Sequence, residues 1–193
     1  MLRCVVALLL VLAQPARALP RQAQRPAAGS HTDQFAIMLD AGSSGTRAYV
    51  YGWPSAADCA SRLAEQLVEQ IGEGEQATPG LSFFAPGNIS GVAGYLAPLV
   101  EFAQSVVPEP AQADTPIYLQ ATAGMRLLPE EQQEALLEAV RDVFAESPFD
   151  ARPEETLVIS GSAEGANEWT AVNCELPTPV ADREREDCQS LCA

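Results

Sequence analysis

Residues 40–47 of the chain read Asp40-Ala41-Gly42-Ser43-Ser44-Gly45-Thr46-Arg47. Apolar segments lie on both sides of this stretch, at residues 35–39 and 48–51. Two apolar segments joined by small, flexible residues predict a strand, a tight loop and a second strand. Glycine accepts positive φ and leaves neighbouring N–H groups unobstructed, so the loop suits a concavity for an anion. An ordinary Gly/Ser hairpin turn is the alternative interpretation.

The polar side chains of this loop favour a phosphate group as the anion. The hydroxyls of Ser43, Ser44 and Thr46 add hydrogen-bond donors, and Asp40 at the strand end suits a hydrated divalent cation. The loop contains no lysine, so it is not the Gly-x4-Gly-Lys-[Ser/Thr] loop, in which a lysine supplies a fixed positive charge. Phosphate binding would therefore depend on backbone amides, hydroxyls and a metal ion.

Two later stretches repeat the arrangement of a strand followed by a small-residue loop. They are Ile117-Tyr118-Leu119-Gln120-Ala121-Thr122-Ala123-Gly124-Met125-Arg126 and Val158-Ile159-Ser160-Gly161-Ser162-Ala163-Glu164-Gly165-Ala166-Asn167-Glu168-Trp169, with Asn173 following. In order and spacing, the three stretches resemble the first three conserved regions of the apyrase family, the ectonucleoside triphosphate diphosphohydrolases. The chain is most similar to the soluble secreted or Golgi-lumen nucleoside diphosphatases of that family. The resemblance covers residues 34–173.

The resemblance implies an α/β fold of the ribonuclease H-like (actin-like ATPase) class, with one lobe built from a mixed sheet and flanking helices. It also implies hydrolysis of nucleoside di- and triphosphates with Ca²⁺ or Mg²⁺. The hydrophobic pattern agrees with one such lobe, because it predicts three strands, a helix, a strand, a helix, a strand and a helix.

The segment between Tyr51 and Gly80 is the ambiguous part of this pattern. Apolar residues recur there every fourth position, which favours a helix: Cys59, Leu63, Leu67 and Ile71. The resemblance instead implies a strand at about residues 66–75. We prefer the strand, because a helix would end at Gly72-Glu73-Gly74 without a good cap.

The remaining elements follow from spacing and helix-end signals. A helix is predicted from Ser90 to the prolines at residues 108 and 110, and another opens with Pro129-Glu130-Glu131. Strands are predicted at residues 115–121 and 157–159, and a last helix, capped by Ser162, is predicted to run to Asn173. The buried face of the second helix is predicted to contain Ala135, Leu136, Ala139, Val140, Val143 and Phe144.

The resemblance implies phosphate-binding and metal-binding roles for the residues of this chain that match the family's motifs. The resemblance implies that Ser43 and Ser44, with the backbone from Gly42 through Gly45 to Thr46, cradle the terminal phosphate. It implies that Asp40 holds the metal ion, through water. A second segment, Pro79-Gly80-Leu81-Ser82-Phe83, would lie near the nucleotide cleft.

The other two motifs carry the water-activating roles. Glu164 matches the general base that aligns and deprotonates the attacking water, and Thr122 would help to orient that water. Arg126 would steady the cleft or a phosphate, or would serve the fold alone. Family members often have an acid before the base, where this chain has Ala163. Glu168, one helical turn later, is a weaker candidate for the base.

Two other residues of the third motif are expected to serve structure rather than chemistry. Trp169 and Asn173 are predicted to be packing and helix-end residues.

The first 18 residues have the pattern of a secretory signal peptide. Arg3 precedes an apolar run, and Ala16-Arg17-Ala18 offers the small residues that a signal peptidase recognises. The run is shorter than the ~20 residues that a membrane span needs. We expect cleavage after about Ala18, no membrane span in the mature chain, and a disordered lead-in at residues 19–33. The chain would enter the secretory pathway and reach the exterior or the Golgi or ER lumen, where Asn88-Ile89-Ser90 is an N-glycosylation acceptor.

Charge argues against nucleic acid as a partner. The chain has 26 acidic residues, 11 arginines and no lysine, and its formal net charge is −15. Without Arg3 and Arg17 the remaining chain would carry −17. Such a chain repels polyanions, because phosphate backbones are bound by clustered cations.

The last 20 residues depart from the family pattern. Residues 174–193 contain prolines, six consecutive charged residues from Asp182 to Asp187, and three cysteines. This composition predicts an irregular tail. Signal cleavage would remove Cys4 and leave four cysteines, Cys59, Cys174, Cys188 and Cys192, for which three pairings are possible. A zinc site is not indicated, since Cys188 and Cys192 lack a second ligand pair.

Actin-like phosphatases bind nucleotide between two lobes, and no second phosphate loop follows Asn173 in this sequence. The expectation is therefore an incomplete form with little activity alone, in which a second lobe is missing. A catalytically inactive secreted lobe, acting in binding or regulation or serving no function, is the alternative. A sugar kinase or exopolyphosphatase would share the first loop, but it would not explain the signal peptide or the second motif.

Overall fold

The computed structural model describes residues 34–53 and 69–175, with side chains described as far as residue 171. The predicted signal peptide at residues 1–18, the lead-in at 19–33 and the tail at 174–193 lie outside the described side chains, as do all the cysteines. None of the described helices is both long enough and apolar enough to cross a membrane.

A five-stranded mixed sheet forms the centre of the described chain, in the order β3-β2-β1-β4-β5. The first hairpin pairs β1 (Gln34–Ala41) with β2 (Thr46–Trp53) in antiparallel register. β3 (Glu69–Glu73) continues the antiparallel half. This strand confirms our preference for a strand over a helix in this segment. β4 (Pro116–Ala121) lies parallel to β1, and β5 (Asp150–Val158) lies parallel to β4.

Helices connect the parallel strands, as the hydrophobic spacing predicted. α1 (Val92–Val106) and the short α2 (Glu109–Gln112) lead into β4. The single-turn α3 (Ala123–Arg126) follows β4, α4 (Glu130–Ala145) leads into β5, and α5 (Gly161–Glu175) follows β5. Short 3-10 turns occupy Leu81–Phe84 and Ile89–Gly91. Mixed-sheet architecture with flanking helices is therefore confirmed.

Both faces of the sheet are buried. One face packs against α1 and α4 through a large apolar cluster that includes Ile37, Leu39, Leu96, Leu119 and Phe144. The other face has a smaller aromatic cluster of Ala36, Met38, Tyr49, Tyr51 and Tyr118. Burial of each such side chain contributes roughly 1.5–3 kcal/mol to folding. Burial on both sides explains why β1 reads as a continuous apolar run instead of an alternating one.

Several local predictions differ from the structure. β5 begins seven residues before the predicted Leu157, because Asp150 and Ala151 already pair with β4 despite the charges that follow them. Leu137, which the spacing left out, is buried on α4. Trp169, predicted to pack, has 67% of its surface exposed. The side chain of Asn173 lies beyond the described side chains.

Candidate active site

The three motif loops meet at one edge of the sheet, where β1, β4 and β5 end. Backbone hydrogen bonds continue across this edge: the Thr122 N–H donates to the Ala41 carbonyl at 3.1 Å, and the Ile159 N–H donates to the Ala121 carbonyl at 2.9 Å. Parallel strands end at the same edge, and ligands of open α/β sheets bind at such edges. The sheet topology therefore brings together residues that are more than 100 positions apart in sequence.

The first motif forms a closed hairpin loop, which we call the phosphate loop (residues 42–45). The Gly42 N–H donates to the Gly45 carbonyl at 2.9 Å, and the Thr46 N–H donates to the Ala77 carbonyl at 2.9 Å. Within the described chain, these bonds leave the N–H groups of Ser43, Ser44 and Gly45 without an acceptor. Ser43 and Ser44 are exposed, so both hydroxyls can meet a ligand.

Two glycines outside the loop hold its backbone at close range. A Cβ atom on Gly80 would lie 2.4 Å from the Ser43 carbonyl oxygen, and one on Gly124 would lie 2.9 Å from the Ser43 Cα. Only glycine allows such approaches of one backbone to another. The segment around Gly80 and the second motif therefore clamp the phosphate loop from two directions, which places residues 79–83 at the site.

Thr46 is buried at the end of the loop. The Tyr95 hydroxyl donates to Thr46 Oγ1 at 2.9 Å and lies 3.0 Å from the Ala77 carbonyl oxygen. Thr46 is fully buried, and its N–H is already bonded. A buried side chain cannot meet a dissolved ligand, so Thr46 fixes the end of the loop. Gly42 likewise uses its N–H inside the hairpin.

Asp40 lies at the end of β1 between two polar neighbours in the sheet. Arg47 is opposite it on β2 and Gln120 is opposite it on β4. Burial raises the pKa of Asp40 from 3.8 to about 6, and the negative charge of Glu164 adds to this shift, whereas Arg47 opposes it. Asp40 and Glu164 therefore interact electrostatically, although 124 positions separate them in sequence.

Glu164 lies in the first turn of α5 and is held by one ion pair. The helix start is capped by Ser160 rather than by the predicted Ser162, since the Ala163 N–H donates to Ser160 Oγ at 3.1 Å. Arg126 Nη2 donates to Glu164 Oε2 at 2.9 Å. Among the described residues, none donates to Glu164 Oε1, so that oxygen can accept a hydrogen bond from water.

Arg126 connects the second and third motifs. Besides its bond to Glu164, its Nη1 donates to the Ile159 carbonyl at 2.9 Å. The two side chains of the ion pair are 30% and 26% exposed, so solvent screens the pair only in part. Both nitrogens are engaged with protein atoms, so Arg126 links the Glu164 carboxylate to the Ile159 carbonyl.

Thr122 lies where the second motif leaves the sheet, between Asp40 and Glu164 in the order of strands. It is buried, and its hydroxyl makes no capping bond to α3. Glu168, the competing carboxylate, is exposed one turn beyond Glu164. Asn88 is exposed at the start of a 3-10 turn, far from these loops in sequence.

The oxygen atoms at this edge suit a hard divalent cation that is bound together with a phosphate. Asp40 contributes a carboxylate, and the Gln120 Oε1 is buried without a hydrogen-bond partner in the described chain. Mg²⁺ in phosphate-transfer sites is held by one or two carboxylates, waters and substrate oxygens. No group of three His, Cys, Asp or Glu side chains within residues 34–53 and 69–171 can hold a metal alone. The residues present therefore fit a metal ion that is shared with a ligand.

Three residues at the site had no role in the sequence interpretation: Gln76, Tyr95 and Gln120. A signal existed for Gln120, because it is a polar residue inside the otherwise apolar strand Ile117–Ala121. Gln76 and Tyr95 contact Ser44 and Thr46 from 32 and 49 positions away, and no local pattern points to such contacts.

Comparison with known proteins agrees with this geometry. Residues 27–184 match the GDA1/CD39 (nucleoside phosphatase) family. The chain is 37% identical over 144 residues to nucleoside-diphosphatase mig-23 of Caenorhabditis elegans, covering 74% of this chain and 26% of that protein. It is 40% identical over 143 residues to ectonucleoside triphosphate diphosphohydrolase 1 of Bos taurus, covering 72% and 26%. The chain thus spans about a quarter of the length of these relatives.

A solved structure shows the same fold. The crystal structure of nucleoside triphosphate hydrolases from Neospora caninum superposes with a TM-score of 0.51 at 19% identity, covering 66% of this chain and 29% of that one. This likeness shows that the two chains share a fold over the matched part. On the extent of the family match, the chain belongs to the GDA1/CD39 (nucleoside phosphatase) family.

Proposed function

We propose that this lobe binds the phosphate chain of a nucleoside di- or triphosphate and supplies the general base for its hydrolysis. The observation that carries the proposal is the meeting of three loops at one sheet edge, with Asp40 and Glu164 close enough to influence each other. Family membership and relatives named as nucleoside phosphatases support it.

In this proposal the phosphate loop binds the terminal phosphate. The free N–H groups of Ser43, Ser44 and Gly45 point to an anion-binding concavity, and the exposed serine hydroxyls add two donors. Hydrogen-bond donors that are fixed before the reaction stabilise the charge of the transition state without having to reorganise. This stabilisation is the main contribution of a protein to phosphoryl transfer. The clamping of this loop by Gly80 and Gly124 serves that requirement.

Glu164 acts as the general base and Thr122 helps to hold the attacking water. One carboxylate oxygen of Glu164 is bonded to Arg126, so the other remains for the proton of water. Arg126 thus orients the base, since its guanidinium is anchored on the Ile159 carbonyl. Thr122 follows β4 directly, and its buried hydroxyl is a donor and acceptor beside the sheet edge.

Asp40, through water, and Gln120 would hold Ca²⁺ or Mg²⁺ that enters with the nucleotide. When bound, the cation would neutralise charge on the phosphate oxygens. The chain around the site is acidic, so an anionic nucleotide needs such a partner. The oxygen-only donor set does not distinguish Ca²⁺ from Mg²⁺.

The phosphate loop of this lobe is open on one side. Ser43 and Ser44 remain exposed to solvent despite the segments that pack against the loop. We expect a facing surface, from a second lobe outside the described residues, to complete water exclusion and phosphate contacts. For the 193-residue chain alone we therefore expect turnover below about 1 s⁻¹, the low end of the enzyme range.

Calorimetry and phosphate release on the purified 193-residue chain test the proposal. Uridine diphosphate with Ca²⁺ or Mg²⁺ should bind, and binding should be lost when the metal is chelated or when Ser43 and Ser44 are both replaced by alanine. Guanosine and adenosine diphosphates would then be compared for base preference. Equal binding by wild type and the Ser43→Ala/Ser44→Ala variant would reject the site.

We also propose that the chain enters the secretory pathway. The signal pattern of residues 1–18 motivates this, and the exposure of Asn88 leaves its acceptor accessible to a glycan. Material secreted from eukaryotic cells should begin near Leu19 and lose mass on glycosidase treatment. An N-terminus at Met1 would reject the cleavage, and an Asn88→Gln variant of unchanged mass would reject the glycan.

A further inference from the structure

Gln76 lies directly against the phosphate loop. A Cβ atom on Gly45 would be 2.6 Å from Gln76 Nε2 and 2.8 Å from its Cγ, so the side chain occupies the space that Gly45 leaves free. The Gln76 Nε2 donates to Ser44 Oγ at 3.3 Å. The amide therefore reaches one of the two exposed hydroxyls of the loop.

The other end of the Gln76 amide is held by Arg47. Arg47 Nη2 donates to Gln76 Oε1 at 3.4 Å, and its Nη1 lies 3.5 Å from Glu73 Oε1. Arginine only donates hydrogen bonds, so the amide oxygen must face Arg47 and the amide nitrogen must face Ser44. Arg47 is also the sheet neighbour of Asp40, and the same guanidinium thus borders both the candidate metal residue and the Gln76 amide.

This orientation determines the direction of the Ser44 hydroxyl. A serine hydroxyl has one hydrogen and two lone pairs. Once a lone pair accepts from Gln76, the Ser44 hydrogen points away from Gln76 and can be donated to another acceptor. We propose that Gln76 is a positioning residue that makes Ser44 a hydrogen-bond donor to a phosphate oxygen. The inference rests on the proposed function of the loop.

A double-mutant cycle on the 193-residue chain tests this role. The probe is a non-hydrolysable uridine diphosphate analogue with Mg²⁺, and the measurement is its Kd by calorimetry. Gln76→Met keeps the length of the side chain but removes the amide. We expect it to weaken binding about fivefold, the effect of one neutral hydrogen bond. Ser44→Ala should weaken binding to a similar extent, and the double variant should be no weaker than Ser44→Ala.

A matched control separates this effect from a general loss of stability. Gln112→Met also removes a glutamine amide that is hydrogen-bonded, at 3.0 Å to the Val107 carbonyl, but on α2 away from the site. It should leave Kd unchanged. Thermal melting of every variant shows whether the fold is intact.

Three outcomes would overturn the role, and they are distinguishable. If wild type shows no metal-dependent binding, the proposed function fails and this inference fails with it. If wild type binds and Gln76→Met binds equally well, only the role of Gln76 is wrong. If Gln76→Met weakens binding by the same factor in the Ser44→Ala background, Gln76 acts through loop packing and not through the Ser44 hydroxyl.

Discussion

The phosphate loop and the start of α5 contribute the two halves of the candidate chemistry, and they are held in different ways. Backbone atoms hold the loop: Ala77 bonds to its end, and Gly80 and Gly124 press on Ser43. Side-chain charge holds the base, through the ion pair of Arg126 with Glu164. Of the side chains described on α5, only that of Ala171 is buried.

The difference shows what each half requires. Donors to a phosphate must be fixed in advance, and close backbone packing supplies rigidity because its atoms have no rotamers to change. A general base must accept and release a proton, so its surroundings must tolerate a change of charge. A partly exposed ion pair meets that need, whereas a sterically closed contact would not. The loop should therefore be sensitive to added atoms, and the base should be sensitive to changes of charge.

The largest effect is expected at the base. In a full-length form of the protein that includes the second lobe, Glu164→Gln keeps shape and hydrogen bonding but removes basicity, so kcat should fall by ~10² to 10⁴ while nucleotide binding barely changes. Phosphate release and calorimetry measure the two quantities. Glu168→Gln, one turn later and exposed, is the matched control and should retain activity. Near-normal turnover of Glu164→Gln with an inactive Glu168→Gln would reverse the assignment.

A smaller effect is expected in the loop, and it should be steric. Gly80→Ala adds a Cβ 2.4 Å from the Ser43 carbonyl oxygen, and the backbone must shift to relieve the contact. Overpacking of this kind costs about 1–3 kcal/mol. Urea denaturation should show this loss, and nucleotide binding should weaken. In the control Gly94→Ala, on α1, the Cβ meets nothing within 4 Å, so stability should stay the same or rise by up to ~1 kcal/mol. Equal stability of both variants would show that the clamp is not rigid.

The smallest effect is expected at Asp40, just before the phosphate loop, because the charge of Glu164 influences its carboxyl group. Its pKa is raised to about 6 from 3.8, so between these values the folded chain binds more protons than the unfolded chain. Stability should therefore decrease as pH rises from about 4 to 7. Asp40→Asn removes this titration and should stabilise the chain at pH 7.5 by about 1–2 kcal/mol.

Urea denaturation at pH 5 and 7.5, with a chelator present, measures the Asp40 effect. Asp114→Asn, at an exposed position, is the control and should keep the wild-type difference between the two pH values. In the Glu164→Gln background the Asp40 transition should move to lower pH, because one of its causes is gone. If the pH of this transition were the same in the Glu164→Gln background, Asp40 and Glu164 would not interact electrostatically.

Prediction from sequence succeeded where the signal is local. Apolar spacing and helix-end residues located every helix longer than one turn in the described chain and every strand except β3. At β3 the spacing favoured a helix, and the family resemblance indicated the strand. β5 was predicted too short because its first half carries Arg152, Pro153, Glu154 and Glu155, a pattern that does not indicate a strand. The structure places it there because pairing with β4 outweighs local preference. The cap of α5 was assigned to Ser162 instead of Ser160, an error of two residues that is common at helix ends.

The amino-acid sequence by itself determined the order of the elements, the three small-residue loops and the family to which they belong, because these depend on residue type and spacing along the chain. Tertiary structure alone decided which atoms of those loops remain available. It buried Thr46 against Tyr95, turned Arg126 toward Glu164, and brought Gln76 onto Ser44. Such contacts join residues 32 to 49 positions apart, and their geometry depends on the register and twist of the whole sheet, which no local stretch of sequence contains.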